Sequence, residues 1–229
     1  MVEYSDRESR QKFIAKKFGV YLKGSVLNIG GGGDKALLNY CQPNEYIELD
    51  MCGEPDLLID LDKEYPLPIE DNRYNTIICT EVLEHLDEFH RVFEELLRIS
   101  SSNIIISLPN ALMTFRDYLK GTKYKGNAGE GGVEVGYYTK FYGLPLNKPP
   151  DRHRWFFSYT EASKFFNNNA NKFGYKILDE FSANKTPTVK SKLLGVFIWL
   201  FFGKHLIKDW VYGNYWCLLE MKTINNSIK

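Results

Sequence analysis

Cysteine is scarce in this 229-residue chain: Cys41, Cys52, Cys79 and Cys217 form no C-x-x-C pair and no regular spacing. That excludes a disulfide-stapled scaffold and a cysteine-rich zinc ribbon, and it predicts reduced thiols in a cytoplasmic protein. A surplus of either charge is missing too, because Lys plus Arg and Asp plus Glu number 29 each. Proteins that hold nucleic acid through its phosphates need a basic excess, so no nucleic-acid partner is expected. The opening residues, MVEYSDRESRQKF, lack the apolar core of a secretory signal. The uncharged run from Leu193 to Gly203 is shorter than the about 20 residues that span a bilayer. Internal repeats and low-complexity tracts are absent as well. The length then suits one well-buried α/β domain over residues 1–229.

Against these absences stands VLNIGGGGDK, Val26 to Lys35, where an aliphatic run breaks into four glycines and restarts as the apolar helix pattern ALLNY. A strand that ends in bare backbone is one whose main chain must come close to a ligand. The following helix is expected to present its N-terminal amides to a negative group, with Asp34 as N-cap. Two registers fit. Gly31, Gly33 and Ala36 satisfy a dinucleotide fingerprint, whereas Gly30 and Gly32 satisfy the acidic-x-Gly-x-Gly pattern of methyl-donor sites.

Strand and helix signals alternate along the chain, as a doubly wound sheet requires. A polar helix is predicted from about Asp6 to Phe18, with strands at Ser25–Ile29, Tyr46–Leu49, Leu57–Ile59, Thr76–Cys79 and Asn103–Leu108. Between the last two, apolar residues from Val82 to Leu97 recur at helical spacing. A helix near Thr160–Phe173 then leads to strands at Tyr175–Phe181 and Tyr215–Lys222. The expected fold is therefore α/β: a Rossmann-like, doubly wound, mainly parallel seven-stranded sheet with an antiparallel last strand and an inserted cap.

The second strand, EYIELD, ends in Asp50, and the third, DLLID, in Asp60, followed by PLPIEDNRYNTIICTEVLEHL. This run resembles the signature of class I S-adenosylmethionine-dependent methyltransferases that carry an EVLEH motif, over about Val26 to Asn110 and again near Asp151 to Phe166. The resemblance implies Gly30 and Gly32 beneath the methionine and ribose of S-adenosyl-L-methionine, and Asp50 on the ribose hydroxyls. It implies Asp60 on the adenine amino group beside the Leu61 backbone, and Thr80 with Glu81 at the methionine end. Asn28 stands where that family usually has Asp.

For the acceptor, Glu81, Glu84 and His85 lie at i, i+3 and i+4, which places them on one face of a helix start. The same arrangement resembles metal-binding motifs in certain O-methyltransferases, where a histidine from a later loop completes the site; here His153 in DRHRWFF occupies such a loop. Glu81, Glu84, His85 and His153 are thus candidate ligands for Mg, Mn or Zn. His85, His153 and Glu81 are equally candidates for metal-free acid–base work, and a structural role for the cluster stays open.

Residues 111–150 form an insertion that the minimal fold does not need, rich in Tyr118, Tyr124, Tyr137, Tyr138, Phe141 and Tyr142. It is expected to be an acceptor-binding cap, with a resemblance to methyltransferases of bacterial surface-polysaccharide synthesis. Residues 191–209 combine the apolar run with Lys190, Lys192, Lys204 and Lys208 at its flanks. Three readings stay open for them: a buried helix, a dimer contact, or a peripheral membrane contact. The sequence therefore points to a methyltransferase that acts on oxygen of a sugar-containing acceptor, a nucleotide sugar or surface glycan. The alternatives are methylation of an aromatic or other small metabolite, an NAD(P)-dependent oxidoreductase, and a non-catalytic cofactor-binding subunit.

Overall fold

The computed structural model describes residues 4, 6–119, 141, 152–183, 189–203 and 205–222. Helix α1, Arg7–Phe18, starts where Asp6 accepts from the Ser9 amide at 2.8 Å and the Ser9 hydroxyl accepts from the Asp6 amide in return. That reciprocal cap fixes the start of an otherwise polar helix. Strands β1 (Ser25–Ile29), β2 (Glu45–Asp50), β3 (Leu57–Leu58) and β4 (Tyr74–Thr80) follow. Then come α2 (Phe89–Ile99), β5 (Ser100–Leu108), α3 (Ala111–Leu119), α4 (Tyr159–Asn169) and β6 (Tyr175–Ala183). Helices α5 (Val189–Phe202) and α6 (His205–Val211) precede the closing strand β7 (Asn214–Met221).

The seven strands pair in the order β3-β2-β1-β4-β5-β7-β6. All are parallel except β7, which runs antiparallel to both β5 and β6. Central parallel strands are covered on both faces, so they read as unbroken apolar runs; Ile77, Ile78, Ile104, Ile105 and Ile106 are fully buried. One face, through Leu27, Ile77, Ile104 and Ile106, meets Phe93 of α2 and Phe166 of α4. The other, through Val26, Ile78 and Ile105, meets Phe13 and Phe18 of α1 around Trp216. The predicted seven-stranded, mainly parallel sheet with an antiparallel last strand is the observed one.

Three local expectations need correction. After the glycines there is no α-helix, only a 3₁₀ turn at Ala36–Asn39 that Lys35 enters in a left-handed conformation. Asp34 accepts from the Ala36 amide without capping a helix. The glycines consume the front of this connection, and Pro43 blocks continuation at its back, which leaves room for one turn. The helix expected from Val82 is likewise broken: a 3₁₀ turn covers Leu83–His85, Leu86 is extended, and α2 starts at Phe89. Finally, α5 is not a buried helix, since Leu193, Val196, Phe197, Leu200 and Phe201 are exposed. Of the insertion, only α3 and Phe141 are described. Tyr124, Tyr137, Tyr138 and Tyr142 lie outside the described residues.

Candidate active site

The carboxyl ends of β1, β2, β4 and β5 lie side by side, and the glycine loop opens from the first of them. Gly33 has φ of +89°, and a β-carbon there would strike the Glu54 carbonyl. Backbone conformation and close approach therefore both require glycine. Asp50, at the tip of β2, accepts from the Gly32 amide at 2.9 Å and from the Met51 amide at 2.7 Å. It braces the loop from the neighbouring strand.

Below it, Glu48 is almost fully buried and accepts from the Gly33 amide at 2.9 Å, the Lys35 amide at 3.4 Å and the Tyr46 hydroxyl at 2.7 Å. Asn28 pairs with Glu48 across the β1–β2 register and donates its amide both to Glu48, at 3.3 Å, and to the Tyr46 hydroxyl, at 2.9 Å. Burial, and then the Glu48 carboxylate, push the Tyr46 phenol well above its ordinary range. The Asn28 side chain thus lies inside the sheet–helix layer, turned to Glu48. An aspartate here would set two buried carboxylates against each other, whereas an amide donates to the one already present.

Arg7, the first residue of α1, reaches over the loop. It donates to the Gly31 carbonyl and, at 3.3 Å, to the Gly30 carbonyl, and it pairs with Asp34 at 3.5 Å. The sequence does not single out Glu48, and it marks Arg7 only as one of several basic residues on a solvated helix face over the cofactor cleft. The strand period does carry a signal for Glu48, because Tyr46, Glu48 and Asp50 alternate onto one face of EYIELD; nothing local ties Arg7 to a loop more than twenty residues away.

Asp60 closes a turn after β3. It accepts from the Asp62 amide at 3.1 Å and pairs with Lys63 at 2.8 Å, while Leu61 beside it is buried. Thr80, buried at the end of β4, pairs with Ser107 of β5. Glu81 follows at φ of +58°, a conformation uncommon for a residue with a side chain. Its carboxylate accepts from the Ser107 hydroxyl at 3.1 Å and from the Asn214 amide at 3.3 Å. Asn214 and Trp216 also donate to the Tyr4 hydroxyl, whose ionisation burial and then Glu81 push far upward.

Glu84, His85 and His153 come together. Their ligand atoms lie within 4.8 Å of one another, Glu84 and His153 are buried, and the two imidazole rings meet edge-on with centroids 4.8 Å apart. The Arg154 amide donates to the Glu84 carbonyl at 2.7 Å, and the Trp155 indole donates to the Leu86 carbonyl at 2.7 Å, so the later loop is fastened to the 3₁₀ turn. Phe141 bridges to His153 from the insertion. Glu81 does not join them. The one-face expectation assumed an α-helix, but the left-handed Glu81 and the tighter 3₁₀ turn rotate its carboxylate toward β5 and β7 instead. Two imidazoles and a carboxylate, two of the three groups buried, are a donor set that suits a divalent ion, and two of them suffice for proton transfer.

A cavity of about 190 Å³ lies between α2 and α4, lined by Phe89, His90, Leu108, Trp155, Phe157 and Phe165 among others. Its apolar, aromatic walls contrast with the polar glycine loop.

No protein-family model matches the chain, and no curated protein matches it in sequence. Solved structures do match in fold. The methyltransferase domain of bacterial CtHen1-C superposes with a TM-score of 0.54 at 15% identity, covering 94% of this chain and 98% of that one. An S-adenosylmethionine-dependent methyltransferase assignment from Listeria monocytogenes superposes at 0.52 with 12% identity, over 94% and 100% of the two chains. The [4+2]-cyclase SpnF superposes at 0.50 with 11% identity, over 94% and 80%. The seven-stranded Rossmann-like fold of S-adenosylmethionine-dependent methyltransferases is therefore shared by this chain. SpnF marks the boundary of that inference: one fold carries more than one reaction.

Proposed function

We propose that the chain is an S-adenosylmethionine-dependent methyltransferase that acts on a hydroxyl of a sugar-containing acceptor, a nucleotide sugar or surface glycan. One observation carries the reading: a glycine loop at the end of β1, braced by Asp50 from the end of β2, at the crevice where strand order reverses. The oxidoreductase alternative loses its support at the same spot, because a dinucleotide's pyrophosphate needs the N-terminus of a helix and this loop leads into a single 3₁₀ turn.

Methyl transfer is an in-line displacement at a sulfonium methyl. The protein's share is alignment of donor and acceptor, and removal of the acceptor proton. In this reading the Gly30–Gly32 backbone underlies the donor and Asp50 accepts from its ribose hydroxyls. Asp60 and the Leu61 backbone meet the adenine, and Thr80 borders the methionine end. His85, held against His153 and Glu84, takes the acceptor proton. The same Glu84, His85 and His153 would hold Mg, Mn or Zn, and a bound ion would lower the acceptor hydroxyl's pKa. Glu81, turned to Ser107 and Asn214, borders the methionine end and positions the β4–β5 tips.

A second reading, methylation of an aromatic or other planar metabolite, is favoured by the aromatic lining of the cavity between α2 and α4. A screen of nucleotide sugars, glycans and aromatic metabolites with labelled S-adenosylmethionine separates the two. Label in sugar-containing products supports the first reading, label confined to planar metabolites the second, and no transfer to any acceptor counts against both.

A further inference from the structure

Helix α5 ends a polar protein's economy of surface. Leu193, Val196, Phe197, Leu200 and Phe201 fall at i, i+3, i+4, i+7 and i+8, a single stripe along the helix, and each is more than half exposed. Trp199 beside them is 43% exposed. A continuous apolar stripe on a soluble surface marks an interaction face. The opposite side of the helix is held: Gly195 packs against Val211, and α6 is fastened to the body where Asn110 donates to the Asp209 and Tyr212 carbonyls at 2.6 and 2.8 Å.

Charge identifies the occupant. The stretch from Val189 to Val211 contains Lys190, Lys192, Lys204 and Lys208, and its one acidic residue is Asp209. Asp209 is buried and accepts from the Thr160 amide at 2.6 Å, so its carboxylate is engaged at the start of α4. In a chain of zero formal charge, the segment that carries this stripe thus has four lysines in its sequence and a single, engaged carboxylate. A second copy fits poorly, since a two-fold contact between two such segments would pair lysine-rich sequences whose one carboxylate, Asp209, is already engaged. Lysines bracketing an apolar, tryptophan-bearing helix match a surface of anionic lipid.

We propose that α5 lies in the interface of an anionic membrane and docks the protein there without crossing it. No described helix is long and apolar enough to cross. The α5–α6 segment joins the end of β6 to the start of β7, and β7 starts opposite Leu108, at the carboxyl end of β5. Docking through α5 would therefore turn the candidate active-site edge of the sheet toward the membrane. This inference does not depend on methyl transfer.

The test is co-sedimentation of the full chain with phosphatidylcholine vesicles and with vesicles that also contain phosphatidylglycerol. Binding should be at least roughly tenfold tighter to the anionic vesicles and should weaken with salt. The double variant Leu200→Glu/Phe201→Glu should lose it while its unfolding midpoint holds, because both side chains are exposed, and Lys190→Gln/Lys192→Gln should erase the preference for anionic lipid. Sedimentation with neither vesicle, or equally with both, would overturn the proposal. So would a lipid-free dimer that Leu200→Glu/Phe201→Glu dissociates, which would assign the stripe to a second copy.

Discussion

Inside the first layer of the sheet one carboxylate gathers four donors, and the shape of the glycine loop hangs on it. Replacing Glu48 with Ala strands the Gly33 and Lys35 amides, the Tyr46 hydroxyl and the Asn28 amide. Thermal unfolding should show a loss of about 1–3 kcal/mol, the usual cost of a buried donor left unmet. Asn28→Asp tests the effect of a second carboxylate at that position. Two buried carboxylates across one register raise the folded pKa of at least one of them, so the variant's deficit should be small at acid pH and grow as pH rises past the ordinary carboxylate range. It should reach about 1–2 kcal/mol near neutrality, a shift of one unit being worth about 1.4 kcal/mol. A deficit that does not vary with pH would contradict this account. For the histidines, exhaustive chelation separates the two roles. Loss of turnover restored by Mg²⁺ or Mn²⁺ supports an ion held by Glu84, His85 and His153, whereas unchanged turnover that rises with pH through one imidazole ionisation supports His85 as base. Full turnover in both His85→Ala and His153→Ala would make the cluster structural. His85 is reached through the E-x-x-E-H spacing and His153 through the resemblance to metal-binding O-methyltransferase motifs. The spacing misplaces Glu81, because one left-handed residue undoes an argument built on helical periodicity.

Elements that bury apolar faces were readable and elements that serve the loop were not. β1 was legible to the residue, because SVLNI is apolar, β-branched and ended by glycine; β5 was legible through NIIISL. The turn after the glycines and the break at Leu86 were hidden, since both are imposed by short connections between buried strands and not by local propensity. In α2, Glu95 accepts from Arg98 at 2.7 Å and from the Leu67 amide at 2.7 Å, while Arg98 donates to the Leu67 and Ile69 carbonyls. This ties the PLPIED segment to the helix. The Arg98 guanidinium holds the Glu95 carboxyl below its usual range. A depressed carboxyl contributes stability above the unfolded pKa, about 4.3, and loses it as pH falls through the folded one. Glu95→Gln should therefore destabilise the protein at neutral pH, with the difference from wild type closing in acid; urea midpoints at pH 7 and pH 3 check it. Phe93, fully buried among Phe165, Phe166, Phe173 and Tyr175, should cost about 3–5 kcal/mol on replacement by Ala.

At the scale of the whole molecule, a doubly wound sheet delivers its ligand site to the carboxyl edge of its strands. Here that edge carries the glycine loop, Asp50, the Glu84–His85–His153 cluster and the base of the α5–α6 segment. The central claim is that the loop is a methyl-donor site with Asp50 as its polar anchor. The most direct measurement is calorimetric titration of the chain and of Asp50→Ala with S-adenosylhomocysteine and with NAD. The account predicts that S-adenosylhomocysteine binds, that NAD does not, and that Asp50→Ala weakens the former by about 1.5–3 kcal/mol, the range for hydrogen bonds to a charged group. Equal binding by the variant, or binding of NAD in place of S-adenosylhomocysteine, would contradict it.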